Sequence, residues 1–194
     1  MTLNLTKQQA DELVNKYITN PITKYHLLES EAIMRALAKH FGENEEEWGI
    51  AGLLHDIDWD LTKDNTREHT VKAVEILKQA GASDFLIETI VSHGYGNALC
   101  GVSQDKTRTT KIQHALAAAE TLTGVIVASA MVQPDKKLAS VKPSSLLKKF
   151  KNKNFAANCD RGIILECEMI GLKLEEFLNL GLTALQRIAD KIGL

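Results

Sequence analysis

The stretch WGIAGLLHDIDWD, residues 48–60, decides how the rest of the chain is read. Trp48, Ile50, Ala51, Leu53 and Leu54 leave almost no polar face, which predicts a buried helix, and His55 and Asp56 then interrupt it side by side. Neighbours on a helix diverge by about 100°, so His55 and Asp56 face one point only where the helix ends or distorts. The polar run from Asp58 to Asp64 supplies such an end. Upstream, Asn44 caps the segment, Glu47 completes a capping-box pattern, and Glu45 and Glu46 suit the positive helix end. A lone His-Asp pair can simply terminate a helix, so its meaning depends on what else converges on it.

Working outward, every neighbouring segment predicts helix. Thr6 opens one that runs to about Thr19, and Lys24 to Phe41 forms the next, closed by Gly42. Thr66 to Ala80 and Ser83 to His93 follow, stopped by Gly81 and Gly94. The polar, glycine-rich GYGNALCGVSQDKTR reads as a surface loop placed to cover a site. Thr109 to Val132 is apolar all round, as for a central core helix, with Gly124 as its one point of division and Pro134-Asp135 as its end. Helices near Pro143 to Phe150, Asp160 to Ile170 and Leu174 to Ile192 form a C-terminal extension. Strands nowhere alternate with helices, so the fold class is all-α: a helical bundle of one domain over 1–194, with a core at about 22–133 and an extension at about 134–194.

Composition agrees. The chain has 194 residues, 44% hydrophobic and only 5% aromatic, with three prolines; that is one ordinary domain with a single core. A formal charge of -2 gives no general electrostatic support for nucleic acid. Cys100, Cys159 and Cys167 form no C-x-x-C pair and read as reduced thiols of a cytoplasmic protein. The N-terminus reads as an amphipathic helix rather than a signal peptide. The one membrane-like run, IQHALAAAETLTGVIVASAMV, carries Glu120 at its centre and therefore reads as a buried helix. No membrane partner is expected, and a homo-oligomer is left open.

The histidines carry the functional argument. His26 shares a helical stripe with Ser30, Ile33 and Leu37; His69 one with Ala73, Ile76 and Ala80; His93 one with Leu86 and Ile90. Glu120 lies in line with Leu116, Gly124 and Val127. Each histidine alone is better explained as a core imidazole satisfied by a backbone carbonyl. Together they would leave many polar groups unpaired in one core unless they converge and a cation satisfies them. Imidazole with carboxylate suits divalent manganese, iron, cobalt, nickel or zinc. His40, at the far end of its helix, and His114, on a different face from Glu120, read as structural.

At this point the residues resemble the HD superfamily of metal-dependent phosphohydrolases, specifically a bacterial group of small HD proteins. The likeness rests on His26, WGIAGLLHDID, EHTVKAVEILKQAG, IVSHG and ALAAAETLTG, with VQPDKKLASV and LKKFKNKNFA further on. It implies an HD-type helical bundle in which His26, His55, Asp56 and a late carboxylate hold one metal. It also implies that His69 and His93 hold a second, with Asp56 bridging. Glu120 stands where the family carries aspartate. The cofactor implied is one or two divalent ions, magnesium included, and the chemistry is hydrolysis of a small phosphorylated metabolite or nucleotide by a metal-activated water. Asp58, Asp60 or Glu68 are the candidates to orient that water, and with Asp56 the candidate catalytic set is Asp56, Asp58 and Glu68. Seven lysines between Lys136 and Lys153, Lys148 and Lys149 among them, form either a substrate-guiding patch or a solvated amphipathic helix. The competing functions are a regulatory metal-binding protein without catalysis and a helical interaction module without metal.

Overall fold

The structure, a computed structural model, describes residues 3–98, 100–102 and 105–194. Its α-helices are α1 (Lys7–Tyr17), α2 (Pro21–Phe41), α3 (Glu45–Leu54), α4 (Trp59–Thr62), α5 (Val71–Gln79) and α6 (Asp84–Val91). They continue with α7 (Lys111–Met131), α8 (Pro143–Lys151), α9 (Arg161–Ile164), α10 (Leu174–Gln186) and α11 (Ala189–Ile192). No strand occurs among the described residues, so the all-α expectation holds.

Helix α2 is the spine. Asn20 caps it, Pro21 occupies its first turn, where a missing N–H costs nothing, and Gly42 ends it in the left-handed region at φ 70°. It therefore starts three residues before the expected Lys24, because Pro21 opens the helix. Its Leu27, Ile33, Met34 and Leu37 are fully buried, each worth roughly 1.5–3 kcal/mol relative to exposure. Asn44 caps α3, accepting from the N–H of Glu46 and Glu47. Helix α3 runs back antiparallel along α2, Gly49 beside Arg35 and Gly52 against the Ser30 carbonyl. A Cβ on Gly52 would lie 2.7 Å from that oxygen, so glycine sets how closely the two helices approach.

Helix α7 passes through the middle, packing on α2, α6, α8, α9 and α10. It is long and apolar enough to cross a bilayer, yet most of it is buried by its neighbours. It runs unbroken through Gly124, whose missing side chain makes room for the Cys159 thiol. The C-terminal segment closes over α7 and α2. There the expected Asp160 to Ile170 helix becomes α9 followed by a 3-10 segment Leu165–Ile170, and the expected Leu174 to Ile192 helix divides into α10 and α11 at Arg187 and Ile188.

The largest departure concerns Thr66 to Ala80. A 3-10 turn covers Thr66–Glu68, His69 is extended at ψ 140°, Thr70 takes the left-handed φ of 70°, and only then does α5 begin. His69 is therefore not on the stripe of Ala73 and Ile76. The cause is Asp58, whose Oδ2 accepts the N–H groups of Thr70 at 2.8 Å and Ala73 at 3.0 Å. These bonds cap α5 from outside the segment and hold a β-branched residue where such residues are rarely found.

Candidate metal centre

Five side chains meet beside a cavity of about 700 Å³, with His26, Asp56, His69 and His93 in its lining and His55 buried behind them. Helix α2 brings His26, the end of α3 brings His55 and Asp56, the kink before α5 brings His69, and the 3-10 turn Ser92–Gly94 brings His93. They form two triads, His26, His55 and Asp56 on one side and Asp56, His69 and His93 on the other.

In each imidazole Nδ1 is committed elsewhere. His55 donates to the Gly52 carbonyl at 2.8 Å, His93 to that of Ile90 at 2.6 Å, and His69 to Asp58 Oδ1 at 2.9 Å. His26 meets the Thr123 hydroxyl at 3.0 Å, and because that hydroxyl donates to the Glu120 carbonyl it accepts from His26. All four rings thus carry their first proton on Nδ1 and turn Nε2 inward. His26 Nε2 lies 3.0 Å from His55 Nε2, and His69 Nε2 lies 3.1 Å from His93 Nε2. Asp56 Oδ2 is 3.8 Å and 3.6 Å from the first pair, and its Oδ1 is 3.4 Å and 3.3 Å from the second.

These separations fit a cation. Two ligands each about 2.1 Å from one ion stand about 3.0 Å apart at a right angle and about 3.4 Å apart at the tetrahedral angle. The electrostatics agree. Burial, outweighing the pull of Asp56, lowers the pKa of His26, and burial also lowers that of His55, to about 3. The first pair is therefore neutral, with two lone pairs facing each other across 3.0 Å and no proton between them. Burial would lower His93 too, but the Asp56 carboxylate beside it, Glu120 and the Ile90 carbonyl raise it to about 9. Burial would raise Asp56, yet the rings of His55, His93 and His69 hold it well below the usual carboxylate range. The first pair so offers two unprotonated Nε2 lone pairs to a cation, while the Asp56 carboxylate beside His93 favours a positive charge at the second.

The other expected site residues fall elsewhere. Asp58 is wholly buried and spends both oxygens on His69, Thr70 and Ala73, so it aims His69 instead of orienting a water. Asp60 accepts from the N–H groups of Thr19 and Asn20 and from the Thr23 hydroxyl, tying α4 to the start of α2. Glu68 is exposed and accepts from Asn65 at 3.0 Å, and it does not line the cavity. Glu120 does line it, but belongs to neither triad; its Oε1 accepts the Thr121 hydroxyl at 2.6 Å, and burial raises it to about 7. Lys148 is exposed and Lys149 donates to the Ser129 carbonyl at 3.3 Å, both away from the cavity lining. His40 is exposed on α2, and His114 is buried and paired with Glu166 at 2.6 Å.

Arg108 went unrecognised in the sequence. Its side chain is 9% exposed, pairs bidentately with Glu166 and donates from Nη1 to the carbonyls of Ser92 at 2.8 Å and Tyr95 at 3.1 Å. Nothing in a polar loop marks one arginine out, and its partner lies 58 positions away. Leu99, Ser103 and Gln104 of the same loop lie outside the described residues.

No curated protein and no solved structure matches the chain. The HD domain family model matches residues 23–97, a span that contains His26, His55, Asp56, His69 and His93 and stops short of Arg108 and Glu120. Every residue of both triads lies inside the matched segment, which marks residues 23–97 of the chain as an HD domain.

Proposed function

We propose that the protein is a metal-dependent phosphohydrolase acting on a small phosphorylated metabolite or nucleotide. The observation that carries this reading is the confrontation of four inward Nε2 atoms around one shared carboxylate, with every Nδ1 proton assigned elsewhere. A divalent ion bound there supplies Lewis acidity toward phosphate oxygens and acidifies water. The chain's own contribution is placement. His26, His55 and Asp56 hold one ion and Asp56, His69 and His93 the other, while the cavity holds the phosphorylated molecule against them. Glu120, one oxygen fixed by Thr121, is placed on the cavity wall to orient a water or take its proton. We assign the protein to the cytoplasm as well. Its three cysteines are unpaired thiols, which suits a reducing compartment.

Purified protein assayed with manganese or cobalt against a panel of phosphorylated metabolites, alongside elemental analysis, tests the reading. Bound transition metal and phosphatase or phosphodiesterase activity are expected, with the activity lost in both His55→Ala and Asp56→Ala and the metal lost altogether in Asp56→Ala. Hydrolysis that survives either substitution sinks it. A second reading, a regulatory metal-binding protein without catalysis, draws on Glu120 lying outside both triads. Glu120→Asp separates the two: a large gain of hydrolysis marks a degenerate site, and a loss marks glutamate as the working residue.

A further inference from the structure

The C-terminal extension reaches the metal centre through one buried ion pair. The turn Ser92–Gly94 that carries His93 continues the end of α6, where backbone carbonyls lack helical partners and a cation is favoured. Arg108 fills that role. Its Nη1 donates to the carbonyls of Ser92 and Tyr95, with His93 at 3.4 Å, so one nitrogen grips both flanks of the ligand. The guanidinium is itself aimed by Glu166, through Nε at 2.7 Å and Nη2 at 2.5 Å. Glu166 also accepts from His114 of α7 at 2.6 Å, so it is fixed from the core side. All three side chains are at most 15% exposed, where such pairs are screened little by water. The first triad has no part in this chain of contacts: His26 is aimed by Thr123 and His55 by Gly52.

We infer that Glu166, acting through Arg108, is a positioning residue for His93 and selectively sets the affinity of the ion held by Asp56, His69 and His93. The inference rests on the two-triad reading of the site. Partners that orient a ligand from behind change metal affinity about 10–100-fold when removed. Glu166→Gln keeps the size of the side chain but removes the charge that holds Arg108.

Manganese(II) titration of the metal-stripped full-length chain, followed by calorimetry, tests this directly. The wild type is expected to bind two ions. In Glu166→Gln the second affinity falls about 10–100-fold while the first stays within about twofold. Glu43→Gln, which removes the exposed pair with Lys111, leaves both unchanged. Circular dichroism and thermal midpoints check folding, and Arg108→Lys, which keeps the charge but not the fork, reproduces the selective loss even if Glu166→Gln is unstable. Equal weakening of both ions, or no weakening in either variant, overturns the positioning role. A wild type that takes up one ion or none overturns the two-triad reading beneath it.

Discussion

The two halves of the centre reach the same geometry by opposite means. His26 and His55 come from α2 and the end of α3, two helices locked against each other by buried leucines, isoleucines and a glycine contact. His69 and His93 come from an extended kink and a 3-10 turn, and are aimed by charged groups brought from elsewhere, Asp58 for one and Arg108 with Glu166 for the other. Packing is distributed over many weak contacts, whereas an ionic clamp concentrates its effect in one or two groups. The first half should therefore tolerate single polar changes that disable the second.

Asp56 is the exception that joins the halves, and its loss gives the largest effect. Asp56→Ala is expected to abolish uptake of both ions and to bring hydrolysis down to background, whereas His55→Ala abolishes hydrolysis but leaves the second triad's three ligands in place. Elemental analysis of the two variants checks this. If Asp56→Ala keeps one tightly bound ion, the halves are independent sites and the shared carboxylate is not their link.

Next in size is Asp58→Asn. An amide cannot accept on both sides, so its NH₂ group must face either the His69 Nδ1 proton or the N–H groups of Thr70 and Ala73. One set of buried donors is left unpaired, at a cost of about 1–3 kcal/mol, and the positive φ of Thr70 loses its restraint. Urea denaturation should show that loss. Manganese titration should show the second ion weakened and the first retained; equal weakening of the two would mean that Asp58 supports the whole bundle.

These two carboxylates also show how far a sequence can be read. The helical stripe of α2 and the end of α3 put His26, His55 and Asp56 in place correctly, because there the periodic pattern and the packing agree. Asp58 looked like a water-facing acid because a carboxylate beside a turn carries no mark of what accepts or donates to it. His69 points inward as expected, but by a different route: the regular periodicity of Thr66 to Ala80 conceals a kink imposed by a residue outside the segment. Arg108 and Glu166 were invisible because a pair joined across 58 positions leaves no local pattern. What was legible is the framework of local helices, and what was not is the set of long-range polar contacts that aim the second half.

Gly52→Ala attacks the packed half. Its Cβ meets the Ser30 carbonyl, so α3 must move away from α2, a change that costs about 1–3 kcal/mol in a close-packed interior. Because the Gly52 carbonyl also aims His55, the first ion should weaken together with stability, and the second should weaken less. A fall in thermal midpoint with unchanged affinity for the first ion would separate helix packing from ligand placement.

The smallest effect on the centre belongs to Glu29, on α2 one turn from His26. It is 6% exposed, and burial raises its pKa from 4.5 to about 7. An acid that binds its proton more tightly when folded stabilises the fold fully below pH 4.5 and loses that contribution as pH rises to about 7, leaving a buried charge above it. Glu29→Gln is therefore expected to be more stable than wild type at pH 8, by about 1–2 kcal/mol, and close to it at pH 4.5. If the first half is held by distributed packing, its manganese affinity at pH 8 stays the same while stability rises. A change in that affinity alongside the stability would mean that α2 places His26 by a local electrostatic balance, as the second half does with its clamp.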